Sequence, residues 1–61
     1  MTAPIRAIIA DDEPLARRGL ELRLRAYQDI QIVAQCGNGR EAVEAVAAHS
    51  PDLMFLDIEM P

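Results

Sequence analysis

The 61-residue sequence has no lysine, no tryptophan, one cysteine and only two aromatic side chains, Tyr27 and Phe55. A single Cys36 cannot form an internal disulfide, which excludes the cystine-stapled secreted mini-proteins and fits a reducing compartment. No apolar run approaches the 18 or so residues of a membrane span. The N-terminal Met1-Thr-Ala-Pro-Ile-Arg6 also lacks the basic-then-apolar pattern of a secretory signal. A cytoplasmic location with no membrane association is therefore expected. Six arginines supply all the positive charge against ten acids, for a net charge of −4, which argues against the segment gripping a nucleic-acid backbone by itself. Hydroxyl groups are confined to Thr2, Tyr27 and Ser50.

Of what is present, 51% is apolar and 26% charged, the balance of a globular rather than a disordered chain. Sixty-one residues allow one domain, which buries only about 60% of its unfolded surface and usually needs a metal, a disulfide or a partner as reinforcement. With the disulfide excluded, metal binding or self-association remains.

Ile5-Arg-Ala-Ile-Ile-Ala10 is short and β-branched and runs into Asp11-Asp12-Glu13-Pro14, which predicts a buried strand ending at acids. Pro14 suits a first helical turn, with Asp12 or Glu13 near the positive end of the dipole. The helix is predicted to reach about Tyr27. Leu15, Ala16, Gly19, Leu20, Leu22, Leu24, Ala26 and Tyr27 would form its apolar face, with Arg17, Arg18, Glu21 and Arg25 opposite. Arg23 falls inside the apolar arc and is expected to snorkel over the core to water or, as the alternative, to meet a partner outside this chain.

Ile30 to Cys36 alternates, with Ile30, Ile32, Ala34 and Cys36 on one side and Gln31, Val33 and Gln35 on the other, the pattern of an edge strand. Asn38 is the predicted N-cap of a helix from Arg40 to His49 with an Ala42, Val43, Val46, Ala47 stripe, ended at Ser50-Pro51. Leu53-Met-Phe-Leu56 is a third strand, apolar on both faces. The result is an α/β fold: a parallel three-stranded sheet in the order 2-1-3 with helices on both faces. Four successive apolar residues imply a strand flanked on both sides, yet this order leaves the third strand at an edge, open to pairing.

Ligands of open parallel sheets gather beyond the carboxyl ends of the strands. Asp11 and Asp12 follow the first strand and Asp57 the third. Adjacent strands lie about 4.8 Å apart, so three carboxylates would converge there and either take up a proton or recruit a cation. Oxygen-only ligands favour a hard ion such as Mg²⁺, and a carboxylate beside Mg²⁺ can attack phosphorus. Taken singly, Asp11 and Asp12 would be read as helix-capping acids and Asp57 as a strand-end residue. Their placement at the ends of neighbouring strands favours phosphoryl transfer onto aspartate.

The stretches IIADDEPLARRGL, GNGREAVEAV and PDLMFLDIEMP resemble, in register, the receiver domain of two-component response regulators. The DDEPLAR and FLDIEMP segments are most similar to the branch in which a receiver precedes a LytTR-type DNA-binding domain. The resemblance implies that residues 1–61 are the β-α-β-α-β front half of a flavodoxin-like receiver fold. It further implies that Asp57 is the phosphoacceptor, that Asp12 ligates Mg²⁺ directly and that Asp11 acts through a metal-bound water. Glu59 would offer its main-chain carbonyl to the metal, and Pro61 would shape the following loop. A sensor histidine kinase would donate the phosphoryl group, and DNA would be engaged only through a C-terminal domain beyond this sequence. The receiver pattern also needs a Ser or Thr ending a fourth strand and a Lys ending a fifth. Neither is present, so the segment by itself is expected to be unable to switch and to self-associate through the third strand or the leucine face of the first helix.

Two other readings compete. Asp57-Ile-Glu59 resembles the acid-x-acid pair of haloacid-dehalogenase-type phosphotransferases, but in that family the pair follows the first strand and its second acid is Asp. A receiver-like interaction module without phosphorylation is the other; the acidic triad speaks against it for the whole protein, but not for these 61 residues taken alone. His49 is expected to be a helix-end residue, Cys36 a small buried hydrophobe, and Gly37-Asn-Gly39 a turn and not a phosphate loop.

Overall fold

Residues Ala7 to Ala10 are each at most 1% exposed, and side chains that alternate to opposite faces of a strand are all buried only where both faces of the sheet are covered. The computed structural model describes residues 3–56 and places β1 (Ile5–Ala10) at the centre, between β2 (Ile30–Cys36) and β3 (Leu53–Leu56). Both pairings are parallel, in the expected order β2-β1-β3. The connections carry α1 (Pro14–Leu24) and α2 (Gly39–His49). One crossover moves outward from β1 and the next returns past it, so two right-handed crossovers lay the helices on opposite faces. Ile8 and Ala10 pack with Cys36 and with Ala42 of α2. Ile9 lines a groove on the α1 side with Ala16 and Leu20.

The β2 alternation is interrupted. Ala7 pairs with Ile32 but Ile8 pairs with Ala34, so Val33 is an extra residue in a bulge. The bulge turns Val33, expected among the glutamines, toward the Ile8 cluster. Gln31 and Gln35 remain exposed.

The apolar face expected for α1 needs correction. Its inward stripe is Arg17, Leu20, Glu21 and Leu24, of which Leu24 is buried and the others half-buried. Leu15 is 82% exposed, and Leu22 and Tyr27 are also largely exposed. The cause is where the helix lies: it packs on β1 and β2, and the rest of its apolar arc overhangs the narrow sheet. Polar partners make the charged stripe tolerable. Arg17 donates to the Asp11 carbonyl oxygen. Glu21 is held below the usual carboxylate range by hydrogen bonding from Arg18, opposed by partial burial and helped by Gln35 and the charge of Arg25. Arg23 is exposed in water rather than laid over a core. The helix also ends earlier than Tyr27, at Leu24, where Ala26 N–H and Tyr27 N–H turn back to the Arg23 and Leu24 carbonyls in tighter three-residue bonds.

In α2 the predicted N-cap is present: Asn38 Oδ1 accepts from Glu41 N–H at 2.8 Å, and Glu41 Oε1 accepts from Gly37 N–H at 2.7 Å. This is a capping box displaced by one residue. The inward residues are Ala42 and Ala45, whereas Val43 and Ala47 are exposed and Val46 is 43% exposed, so the predicted stripe is rotated outward. The helix stops at Ser50 as expected, but in the left-handed region (φ 46°, ψ 61°) rather than in extended backbone. Arg6, unremarkable in sequence, secures this end. Its guanidinium donates to the His49 carbonyl and, at 3.3 Å, to that of Ser50, supplying charged donors to the negative end of the helix. The Arg6 backbone N–H donates to Asp52 Oδ2 at 2.9 Å, and its carbonyl accepts from Asp52 N–H at 2.8 Å. These bonds hold the approach to β3 against the start of β1. No helix of the described residues is long and apolar enough to cross a membrane.

Candidate functional site

At the carboxyl end of the sheet the chain leaves β1 through Asp11, whose hydrogen-bonding groups are tied down in three directions. Its N–H donates to the Cys36 carbonyl at 3.0 Å, extending the β1–β2 ladder by one residue. Its Oδ1 accepts from Glu13 N–H at 2.9 Å, closing a tight turn. Its carbonyl accepts from Arg17 Nη1 at 2.6 Å. Asp11 is half-buried, while Asp12 and Glu13 are exposed at the rim. Glu13 is the N-cap of α1 without a side-chain cap bond, and Pro14 opens the helix as predicted. The capping chemistry therefore comes from Asp11, and Asp12 is held between a fixed strand end and a fixed helix start.

β3 reaches the same level. Ala10 pairs with Leu56, the last residue of that strand. Asp57, Glu59 and Pro61, to which the sequence assigns the acceptor, a metal carbonyl and the loop, lie outside the described residues. Among the described residues no group of three or more His, Cys, Asp or Glu side chains could hold a metal. Asp11 and Asp12 supply two carboxylates. Their all-oxygen donor chemistry, with one Asp11 oxygen already engaged by an N–H, suits a hard, partly hydrated cation such as Mg²⁺.

Across the rim stands the loop after β2. The Cys36 thiol is buried and pushed up first by that burial, then by the Glu41 carboxylate, with Arg17 acting in the opposite sense. It therefore stays protonated and packs as the small hydrophobe expected. His49 lies near the C-terminal end of α2, far along the chain from the acids. Two grooves flank β3. One, of about 230 Å³, runs from Asp11 between Leu20 and Phe55. The other, of about 360 Å³, lies on the opposite face between Val46 and Met54. Sequence reasoning missed Arg17, which periodicity assigned to solvent. The one available signal was its position a turn into the helix that follows the acid pair.

A family model described as the response regulator receiver domain matches residues 7–61. The transcriptional regulatory protein BtsR of Salmonella typhi is 51% identical over 57 residues, and that of Escherichia coli K12 is 49% identical. Each alignment covers 93% of this chain but 24% of the relative, so the chain spans about a quarter of the length of these relatives. Among solved structures, the signal receiver domain of the response regulator NarL from Mycobacterium tuberculosis superimposes with a TM-score of 0.93 at 33% identity. It is matched over 98% of this chain and 48% of its own. The structure of the P1 domain of CheA3 in complex with CheY6 from R. sphaeroides matches with a TM-score of 0.90 at 38% identity, over 98% of this chain and 47% of that one.

Proposed function

The chain belongs to the response regulator receiver family, and from that premise we propose that it is the phosphoacceptor part of a two-component signalling system, with Asp57 as acceptor. The observation that carries this reading is the strand register. Leu56 pairs with Ala10, so β3 ends at the level where β1 gives way to the fixed Asp11–Asp12 turn, and Asp57 is the next residue in sequence. In the proposed reaction an Asp57 carboxylate oxygen attacks the phosphorus of a phosphohistidine. The P–N bond breaks, the electron pair and a proton go to the imidazole nitrogen, and an acyl phosphate forms on Asp57. Asp12 would ligate Mg²⁺ directly, Asp11 through a bound water, and Glu59 through its main-chain carbonyl. When bound, the ion offsets charge on the phosphoryl oxygens.

The donor is proposed to be a sensor histidine kinase, in keeping with the CheA3 P1 partner of CheY6. The output is proposed to be transcriptional, through a LytTR-type DNA-binding domain elsewhere in the protein, in keeping with the names of the BtsR relatives. A cytoplasmic location fits both. The chain is read as the front half of a receiver, with the hydroxyl residue and the lysine supplied by further sequence, in keeping with its covering 48% and 47% of the two structural relatives. The test is incubation of the intact protein with Mg²⁺ and a small-molecule phosphodonor. Hydroxylamine-labile phosphate, the mark of an acyl phosphate, should accumulate on the protein and should fail to form when the metal is chelated beforehand. Absence of uptake with metal present would reject the reading, and sustained turnover of a phosphoester would favour the haloacid-dehalogenase alternative.

A second reading, self-association, rests on β3. Leu53 and Leu56 are 41% and 54% exposed, and β3 is an edge strand of the sheet, which invites pairing with a second copy where nothing else in the protein covers it. Light scattering on the isolated 61-residue chain should then give a mass of at least two copies at micromolar concentration. A stable, folded monomer would exclude this.

A further inference from the structure

We propose that Arg17 is a positioning residue of the acidic site, orienting the Asp11–Asp12 turn for the cation without touching the cation itself; the inference rests on the phosphoacceptor reading. Arg17 is half-buried, and its guanidinium spans two segments at the carboxyl end of the sheet. Nη1 lies 2.6 Å from the Asp11 carbonyl oxygen. The same atom is 3.3 Å from where a methyl group on Gly37 would stand. Its backbone N–H closes the first turn of α1 on the Glu13 carbonyl at 3.0 Å. One residue thus ties the strand end to the helix start, with its guanidinium beside the loop after β2.

The Asp11 carbonyl belongs to the peptide plane that joins Asp11 to Asp12. The Asp11 N–H is already fixed by Cys36 and its side chain by Glu13, so the Arg17 bond removes the remaining freedom of that plane. A charged donor holds it more firmly than a neutral one. The absence of a side chain at Gly37 leaves room for the guanidinium beside Glu41 Oε1, which would stand 3.4 Å from an added methyl.

Charge and position predict opposite signs, which makes the role testable. A guanidinium beside a cation site repels the cation, so deleting it for charge reasons alone would tighten Mg²⁺ binding. Deleting a positioning contact weakens it, by about ten-fold, the lower end of what partners of metal ligands supply.

The experiment is calorimetric titration of the metal-free intact protein with Mg²⁺, with thermal melting in EDTA recorded in parallel. Arg17→Met should bind about ten-fold more weakly, and Arg17→Lys, which keeps a donor and the charge, should recover most of the affinity. Arg18→Met removes the same charge from the exposed side of α1 and should bind no more weakly than wild type. Gly37→Ala crowds the guanidinium without deleting it and should weaken binding in the same direction, and it decides the matter if Arg17→Met does not fold. Wild-type affinity in a folded Arg17→Met, or in Gly37→Ala where the former is unfolded, overturns the role of Arg17 and leaves the acceptor reading intact. Wild-type protein that binds no Mg²⁺ overturns both.

Discussion

An Asp57→Ala variant of the intact protein is expected to incorporate no hydroxylamine-labile phosphate from either a kinase or a small phosphodonor, while remaining folded. The loss should be complete because an acyl phosphate needs a carboxylate nucleophile at the reacting position. The nearby acids are poorly placed to replace it: the Asp11 carboxylate already accepts the Glu13 N–H, and Asp12 is committed by the proposal to the metal. The fold should survive because residue 57 follows the last residue of β3 in sequence, and exchanging a carboxylate for a methyl group there removes no apolar side chain. Hydroxylamine-labile phosphate recovered from the folded variant would move the acceptor to another carboxylate. A control with Asp12→Asn separates the roles: the acceptor is intact, so uptake should persist at a much reduced rate and respond to raised Mg²⁺.

The largest effect on stability is expected at Ile8. It is completely buried, and most of the residues around it are small: Ala10, Ala34, Cys36, Ala42 and Ala45, alongside Val33 and its cross-strand neighbour Met54. Short side chains on a strand and on a capped helix cannot reach into a vacated volume, so Ile8→Ala should leave most of its cavity open. The cost is then in the upper part of the range for such truncations, about 3–5 kcal/mol. A chain of 61 residues is held by roughly 3–9 kcal/mol in total, so the variant should lose a large part of that margin and unfold at a much lower urea midpoint by circular dichroism. Val43→Ala, at a position 71% exposed, should change stability by no more than about 0.5 kcal/mol. Equal urea midpoints for the two variants would show that the α2 side of β1 is not the core.

Several parts of the fold were readable because each is written in neighbouring residues. The run Ala7-Ile-Ile-Ala10 marks a doubly covered strand, and Asn38 before Arg40-Glu41 marks a capped helix. A β-α-β-α-β order with right-handed crossovers then leaves few sheets to choose from. The face of α1 was not readable. Its leucines span a wide arc, and periodicity says which residues share a side but not which part of that side meets the sheet. Arg17 and Glu21 turn inward because Asp11 and Gln35 are there to receive them. The Val33 bulge was equally hidden, since the alternation from Ile30 to Cys36 reads the same with or without a slip in its partner's register.

The candidate site divides in the same way. That acids follow β1 and β3, that no lysine accompanies them and that one cysteine cannot cross-link the chain are properties of residue order and composition, which sequence alone determines. Arg6 closing α2 from 43 residues away, and Arg17 holding the peptide on which Asp12 hangs, were decided only by tertiary structure. The reason is that a guanidinium sits on a long, rotatable stem. Its local sequence limits how far it can reach, but the carbonyl it binds is chosen by whichever distant backbone the packed sheet brings within hydrogen-bonding distance.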